Sequence, residues 1–268
     1  MNEKVLYKYL NAEGGLRMFS NSNLQFTNAT RLNDPFDCHP ALIDFSNVPK
    51  ESCHGWSPEI ISKVASNNYE RNWNEAWICS LSKVHDSLLM WSYYGSHKGV
   101  CIGIDREKTK KCLSNIPCVL YVGAFEMEVA YRDIIEKPDY FHDPKDYFTF
   151  QLSTKAKAWE HEQEVRLLLL DPFYDYANMA LPFEPQDENE SIDYKELRAY
   201  PKIGGECFDS LYLGIKIDKE RKNEIIKVAK ECNPNIKIYQ MTVDPEAFRL
   251  KEELVNLYDN DQYPQTGI

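Results

Sequence analysis

The run Trp159-Glu160-His161-Glu162-Gln163-Glu164-Val165-Arg166 leads without a break into Leu167-Leu168-Leu169-Leu170. A short apolar stretch of this kind predicts a buried strand. Successive side chains of a strand alternate faces, so Glu162, Glu164 and Arg166 are expected on one face at its start. Two carboxylates and a guanidinium beside a buried strand cost free energy unless they are paired or used. This stretch is therefore the first place to look for a site. Mutual pairing of the acids with Arg166, and with Lys155 or Lys157, is the structural alternative to chemistry.

Upstream of this run, residues 147–159 have helical spacing, and the Trp159 ring is expected to seal that helix against the strand. Further upstream, residues 5–9, 24–27, 77–82 and 99–105 read as strands, and 118–122 with 125–131 as a hairpin about Gly123. Residues 58–74 and 86–94 read as helices, and 11–15 as a turn or a short helix start. Downstream lies an acidic, proline-bearing loop at about 182–192, expected to be solvated. A strand at 210–217, a helix at 219–232 capped by Asp218 and a strand at 236–241 close the pattern. Helices and strands that do not strictly alternate predict an α+β fold with a mixed, mostly antiparallel sheet core and flanking helices. A single domain over residues 1–268 is expected.

Composition excludes several function classes. Of the 268 residues 43% are hydrophobic and 27% charged, which supports a real core and disfavours global disorder. The 17 Tyr and 5 Trp suit aromatic-lined pockets or a Tyr-heavy core with polar rims. A net charge of −11 argues against duplex nucleic acid as a partner, because phosphate contacts need clustered Lys and Arg. A small nucleotide or a protein target remains. The 8 cysteines form no C-x-x-C pair and fit no zinc spacing, so no metal is predicted and the thiols read as reduced. The start carries no signal-like apolar core and no stretch reaches membrane-spanning length, which predicts a cytoplasmic protein without membrane contact.

Other candidates are scattered. Asn33-Asp34-Pro35-Phe36-Asp37 favours an Asx-type turn that either places Asp34 or Asp37 in a site or is simply rigid. Ser80 and Ser82, two apart at a strand end, line a pocket or bond to backbone. Trp91 and Tyr94, three apart on a helix, share a face for stacking a base or for core packing. His97, at a helix-to-strand turn, is an acid–base candidate or a backbone-bonded turn residue.

Several of these pieces occur together in one bacterial family. Leu6-Tyr7-Lys8-Tyr9, Leu24-Gln25-Phe26 and Asn33-Asp34-Pro35-Phe36-Asp37 come first, then Cys79-Ser80-Leu81-Ser82, Met90-Trp91-Ser92-Tyr93-Tyr94-Gly95 and His97-Lys98-Gly99-Val100-Cys101-Ile102. With Trp159, Glu162, Glu164 and Arg166 as W-x-x-E-x-E-x-R, they resemble the domain of unknown function 2971 family, over most of the chain from residue 5 to Leu213-Gly214. Leu32 stands where that pattern has Phe. The order Lys8, Ser80-Leu81-Ser82, Glu162-Gln163-Glu164 also resembles ADP-ribosyltransferases of the arginine–serine–glutamate type, with Lys8 for Arg as a departure that loses planar bidentate geometry. That second resemblance implies a split sheet, NAD as substrate and a single cleft. In it Glu164 and Glu162 are the catalytic pair, with Lys8, Ser80 and Ser82 on the cofactor side; the residue readings add Tyr7, Asn33, Asp34, Trp91, Tyr94 and Arg166 to that side. The family resemblance further implies a bacterial conflict role, in phage defence or as a toxin. A non-catalytic nucleotide- or protein-binding module is the alternative. No G-x-G-x-x-G supports a dinucleotide fold of the Rossmann type.

Overall fold

The computed structural model describes residues 4–52, 55–114, 121–143, 146–170, 192–193 and 195–256. Most of the acidic loop expected at 182–192, and the first part of the strand expected at 118–122, lie outside the described residues. The fold is α+β: a large mixed, mostly antiparallel sheet of eleven strands with seven helices among the described residues. No described helix is long and apolar enough to cross a membrane.

β1 (Val5–Leu10) pairs antiparallel with β4 (Val100–Asp105) along its whole length. β4 continues to β11 (Phe208–Leu213), which pairs parallel with β12 (Lys237–Val243), and β13 (Leu250–Leu254) forms the edge. On the other side lies β3 (Ala76–Ser82). It runs antiparallel to β8 (Glu164–Leu170) along its full length, and β5 (Tyr121–Glu128) covers the second edge of β8. β5 is one irregular strand, not the hairpin expected about Gly123, with its register shifting between Tyr121 and Phe125. On its opposite edge, β3 meets β1 only at Tyr7↔Ser82 and β2 (Phe26–Asn28) only at Ile78 and Trp77. The sheet thus opens beside Cys79, Ser80 and Leu81. β9 (Ile192–Asp193) and β10 (Arg198–Ala199) extend the β2 edge.

Alternation along β3 and β8 assigns each face. Trp77, Cys79, Leu81, Val165, Leu167 and Leu169 point into the main core with Phe19, Phe26 and Ile225. That core is closed by α1 (Ala12–Asn21) and α7 (Lys219–Cys232). Asp218 caps α7 as its sequence position predicts, accepting from Arg221 N at 2.9 Å. A Cβ on Gly15 would lie 2.5 Å from Val100 Cγ2, so glycine there lets α1 settle onto β4. The opposite face carries Ile78, Ser80 and Ser82 of β3 across from Leu168, Arg166 and Glu164 of β8. It is covered by α6 (Tyr147–Ser153) and by the turn around Cys38.

Three elements depart from expectation. The helix expected at 58–74 divides into α2 (Pro58–Asn68) and α3 (Arg71–Glu75), where Asn67 and Asn68 weaken helical continuity. The helix expected at 147–159 stops at Ser153, because Thr154–Ala156 (β7) pairs parallel with Ala130–Arg132 (β6). α5 (Arg106–Ser114) has no counterpart in the apolar pattern: of its side chains only Thr109 and Leu113 are buried, so no stripe marks it. α4 (Leu88–Gly95) starts at the Ser87 cap, close to expectation.

Candidate functional site

Strand β8 does not begin at Glu162. Lys157–Glu162 forms a 3-10 turn, and Gln163 takes φ 44° to redirect the chain into β8. The three charges therefore do not share one strand face as predicted. Glu164 and Arg166 do, and Glu162 reaches the same point from the turn.

The meeting point is Lys155, from β7. Its Nζ lies 2.6 Å from Glu162 Oε2, 3.1 Å from Glu164 Oε2 and 3.7 Å from Asp37 Oδ2, and 4.9 Å from the centre of the Trp159 ring. Arg166 completes the cluster. It gives Nε to Glu164 Oε1 at 2.9 Å, Nη2 to both oxygens of Asp37 at 2.7 and 2.8 Å, and Nη1 to Leu152 O at 2.7 Å. All five charged side chains are at most 5% exposed. Three carboxylates against two cations leave the buried cluster at minus one when all are ionised.

Burial opposes every charge here, and the neighbours decide the outcome. It pushes the Glu164 carboxyl up, but Arg166, Lys155 and a bond from the Ser80 hydroxyl hold it down at about 2. Burial pulls Lys155 down, yet Glu164, Asp37 and Glu162 keep it above its ordinary value. Asp37 is the exception: burial raises it despite Arg166.

A cavity of about 230 Å³ opens on this cluster at the gap in the sheet. It brings together Tyr7, Lys8, Ser80, Ser82, Tyr94, Glu162 and Glu164 from the predicted site. Lys8 donates to Ser80 O at 2.8 Å, satisfying a β3 carbonyl that no strand pairs. Ser82 Oγ donates to Glu162 O at 2.7 Å and so ties the turn to β3. The Tyr94 hydroxyl donates to Glu162 Oε1 at 2.6 Å, and burial and that carboxylate both raise its pKa.

Four predicted residues do not line the cavity. Arg166 is fully buried behind Glu164 with its donors taken by protein groups, so it does not reach a ligand. Trp91 is core: it is 1% exposed, donates Nε1 to His85 O at 2.8 Å and packs edge-on to Tyr9. Asn33 is exposed on the turn, and Asp34 is buried there with Oδ1 accepting from Phe36 N, the expected Asx geometry. The residue of that turn that enters the cluster is Asp37. Trp159 is half-buried under Lys155 and seals no helix. Sequence reasoning also missed Tyr9, Leu10, Gln25 and Met90 as lining residues. Tyr9, Gln25 and Met90 stand in the runs shared with the family pattern, Gln25 as the polar member of Leu24-Gln25-Phe26.

Chemically, Glu164 accepts from Arg166, Lys155 and Ser80, which nearly saturates it, while Glu162 receives one donor on each oxygen and keeps acceptor capacity. Glu162 is thus the carboxylate able to meet a ligand, with Glu164 fixing its surroundings. Elsewhere, Cys112, Glu206 and Cys207 each place a ligand atom within 4.8 Å of the others, the spacing a metal ion needs. Burial and the neighbouring Cys112 push the Cys207 thiol up to about 12, and it donates to Ile203 O at 2.9 Å, both of which oppose thiolate ligation.

The family model described as Protein of unknown function (DUF2971) matches residues 90–167. That segment starts in α4 and ends in β8, so it contains Tyr94, Lys155, Glu162, Glu164 and Arg166. It is shorter than the span expected from the sequence, residue 5 to Leu213-Gly214. No curated protein and no solved structure matches the chain. The transferase resemblance finds no support in these comparisons.

Proposed function

We propose that the cavity between β1 and β3 binds the ribosyl end of a nucleotide and cleaves its N-glycosidic bond, with NAD as the substrate and ADP-ribose passed to an acceptor. The observation that carries this reading is the convergence of Lys8, Ser80, Tyr94, Glu162 and Glu164 on one small cavity backed by a buried cluster of formal charge minus one. In such a reaction the bond from C1′ to the ring nitrogen breaks and nicotinamide leaves with the electron pair. Positive charge develops on the ribose, and a fixed negative surrounding of low polarity stabilises it. Glu162 sits where it can accept from a ribose hydroxyl or from the incoming nucleophile, whose proton passes to the carboxylate and then to water. Tyr94 holds Glu162 in place. Glu164, held by Arg166 and Lys155, positions the site through Lys155.

The direct test is incubation with NAD labelled in the adenylate and in the nicotinamide. Release of nicotinamide, with transfer of label to protein or to water, is expected from the wild type and lost in Glu162→Gln. Absence of both products from folded protein, with cell extract supplied as acceptor, overturns the reading.

The acids are so well paired that the cluster also suits a rigid, non-catalytic pocket for a nucleotide or a protein segment. Such a pocket predicts that ligands raise the thermal midpoint without turnover.

A further inference from the structure

Beyond the carboxylate cavity lies a wider groove of about 730 Å³. Tyr9, Leu10, Gln25 and Tyr94 line both spaces, so the two adjoin. The walls of the outer part carry opposite character to the inner part. Arg17 of α1 stands on one side, and Arg198 of β10 with Lys202 on the other. The one carboxylate among them, Glu13, is bound by Arg17 at 3.1 Å and lies 3.8 Å from Arg221. Arg198 and Lys202 have no ion-pair partner among the described residues, and both are exposed.

On a chain of net charge −11, two cations that face one groove with no ion pair among the described residues are a local reversal of sign; Asp193, opposite Arg198 in the β9–β10 ladder, accepts from the Lys195 and Glu196 amides instead. Such a patch concentrates anions where the rest of the surface repels them. Arg198 offers a planar fork suited to phosphate oxygens, and Lys202 a mobile point charge. Lys8, by contrast, is committed to Ser80 O and sits among the carboxylates. Size points the same way. Pockets for small molecules run roughly 300–1,000 Å³, so the inner cavity of about 230 Å³ takes only part of a nucleotide.

The geometry points to the outer groove as the binding site for the diphosphate of a dinucleotide, held by Arg198 and Lys202 with Arg17 opposite. This rests on the proposed reading of the inner cavity as the ribosyl site. It puts the phosphate contact on residues about 190 positions beyond Lys8.

Equilibrium titration separates the two ideas. ADP, which carries the diphosphate without the reacting ribose, is titrated into wild type, into Arg198→Ala/Lys202→Ala, and into Lys227→Ala as a control for lost charge away from the groove. Nicotinamide riboside, which has no phosphate, is offered separately to wild type. The expected result is ADP binding that weakens at least about tenfold in the double variant and stays put in the control. It should also weaken as salt rises. Failure of ADP to bind wild type, or equal binding to the double variant, overturns the diphosphate site. If riboside is cleaved while ADP fails to bind, the ribosyl reading stands and the groove assignment falls. If ADP binds in the expected manner and neither NAD nor riboside is cleaved, the groove stands as an anion site and the catalytic reading falls.

Discussion

The Tyr94 hydroxyl donates to Oε1 of Glu162 at 2.6 Å, across 68 residues of chain. This bond joins α4 to the turn before β8, and it is the link between the cavity wall and the buried charges. Tyr94→Phe removes one donor at a half-exposed position. The expected cost in stability is about 1 kcal/mol, with a much larger loss of nicotinamide release because Glu162 is no longer fixed. Urea melts read beside initial rates check this. A variant that melts like wild type and turns over normally removes Tyr94 from the site.

Glu162→Gln and Glu164→Gln are expected to differ. Gln at 162 can still accept from Tyr94, and Lys155 keeps Glu164 and Asp37 beside it, so the fold should hold while function is lost. Gln at 164 breaks the ionic contacts to both Arg166 and Lys155 and leaves them only Asp37 and Glu162, at a cost of roughly 3–5 kcal/mol. The urea midpoints of the two variants should therefore separate clearly. Equal midpoints contradict the division of roles between the two acids.

Low pH should act through Glu164. Its folded pKa of about 2 lies below the ordinary 4.5, so its contribution is complete above the ordinary value and is lost as pH falls from there towards 2. The size is on the order of 3 kcal/mol. Asp37, raised by burial, works in the opposite sense and offsets part of the loss. Urea midpoints between about pH 5 and 2 should fall steeply for wild type and much less for Glu164→Gln. Parallel curves would assign the acid sensitivity to other carboxylates.

Two tryptophans should rank against the sequence expectation. Trp91, fully buried against Tyr9, should cost about 3–5 kcal/mol as Ala. Trp159 is half-buried, and its ring faces the Lys155 ammonium, so its loss should cost only about 1–2 kcal/mol. Thermal melts of both variants give the order directly.

Much of the scaffold is legible in the chain. Apolar runs locate β1, β3, β4, β8, β11 and β12, and Asp218 announces α7. These signals are local, because alternation and capping act over a few residues. Elements without an apolar stripe, such as α5, leave no such trace, and the parallel pairing that ends α6 at Ser153 needs a partner strand more than twenty residues earlier.

The same division holds at the site. That Glu162, Glu164 and Arg166 are close and costly to bury can be read from the chain alone, because their spacing next to four leucines is a local fact. The chain alone does not say which charge answers which. Only the tertiary structure brings Lys155 between two glutamates, swings Asp37 rather than Asp34 onto Arg166, and turns Tyr94 to the cavity while Trp91 enters the core. The reason is physical. Pairing energies in a buried cluster depend on distances of a few ångströms between segments far apart in sequence, and those distances exist only once the sheet has closed.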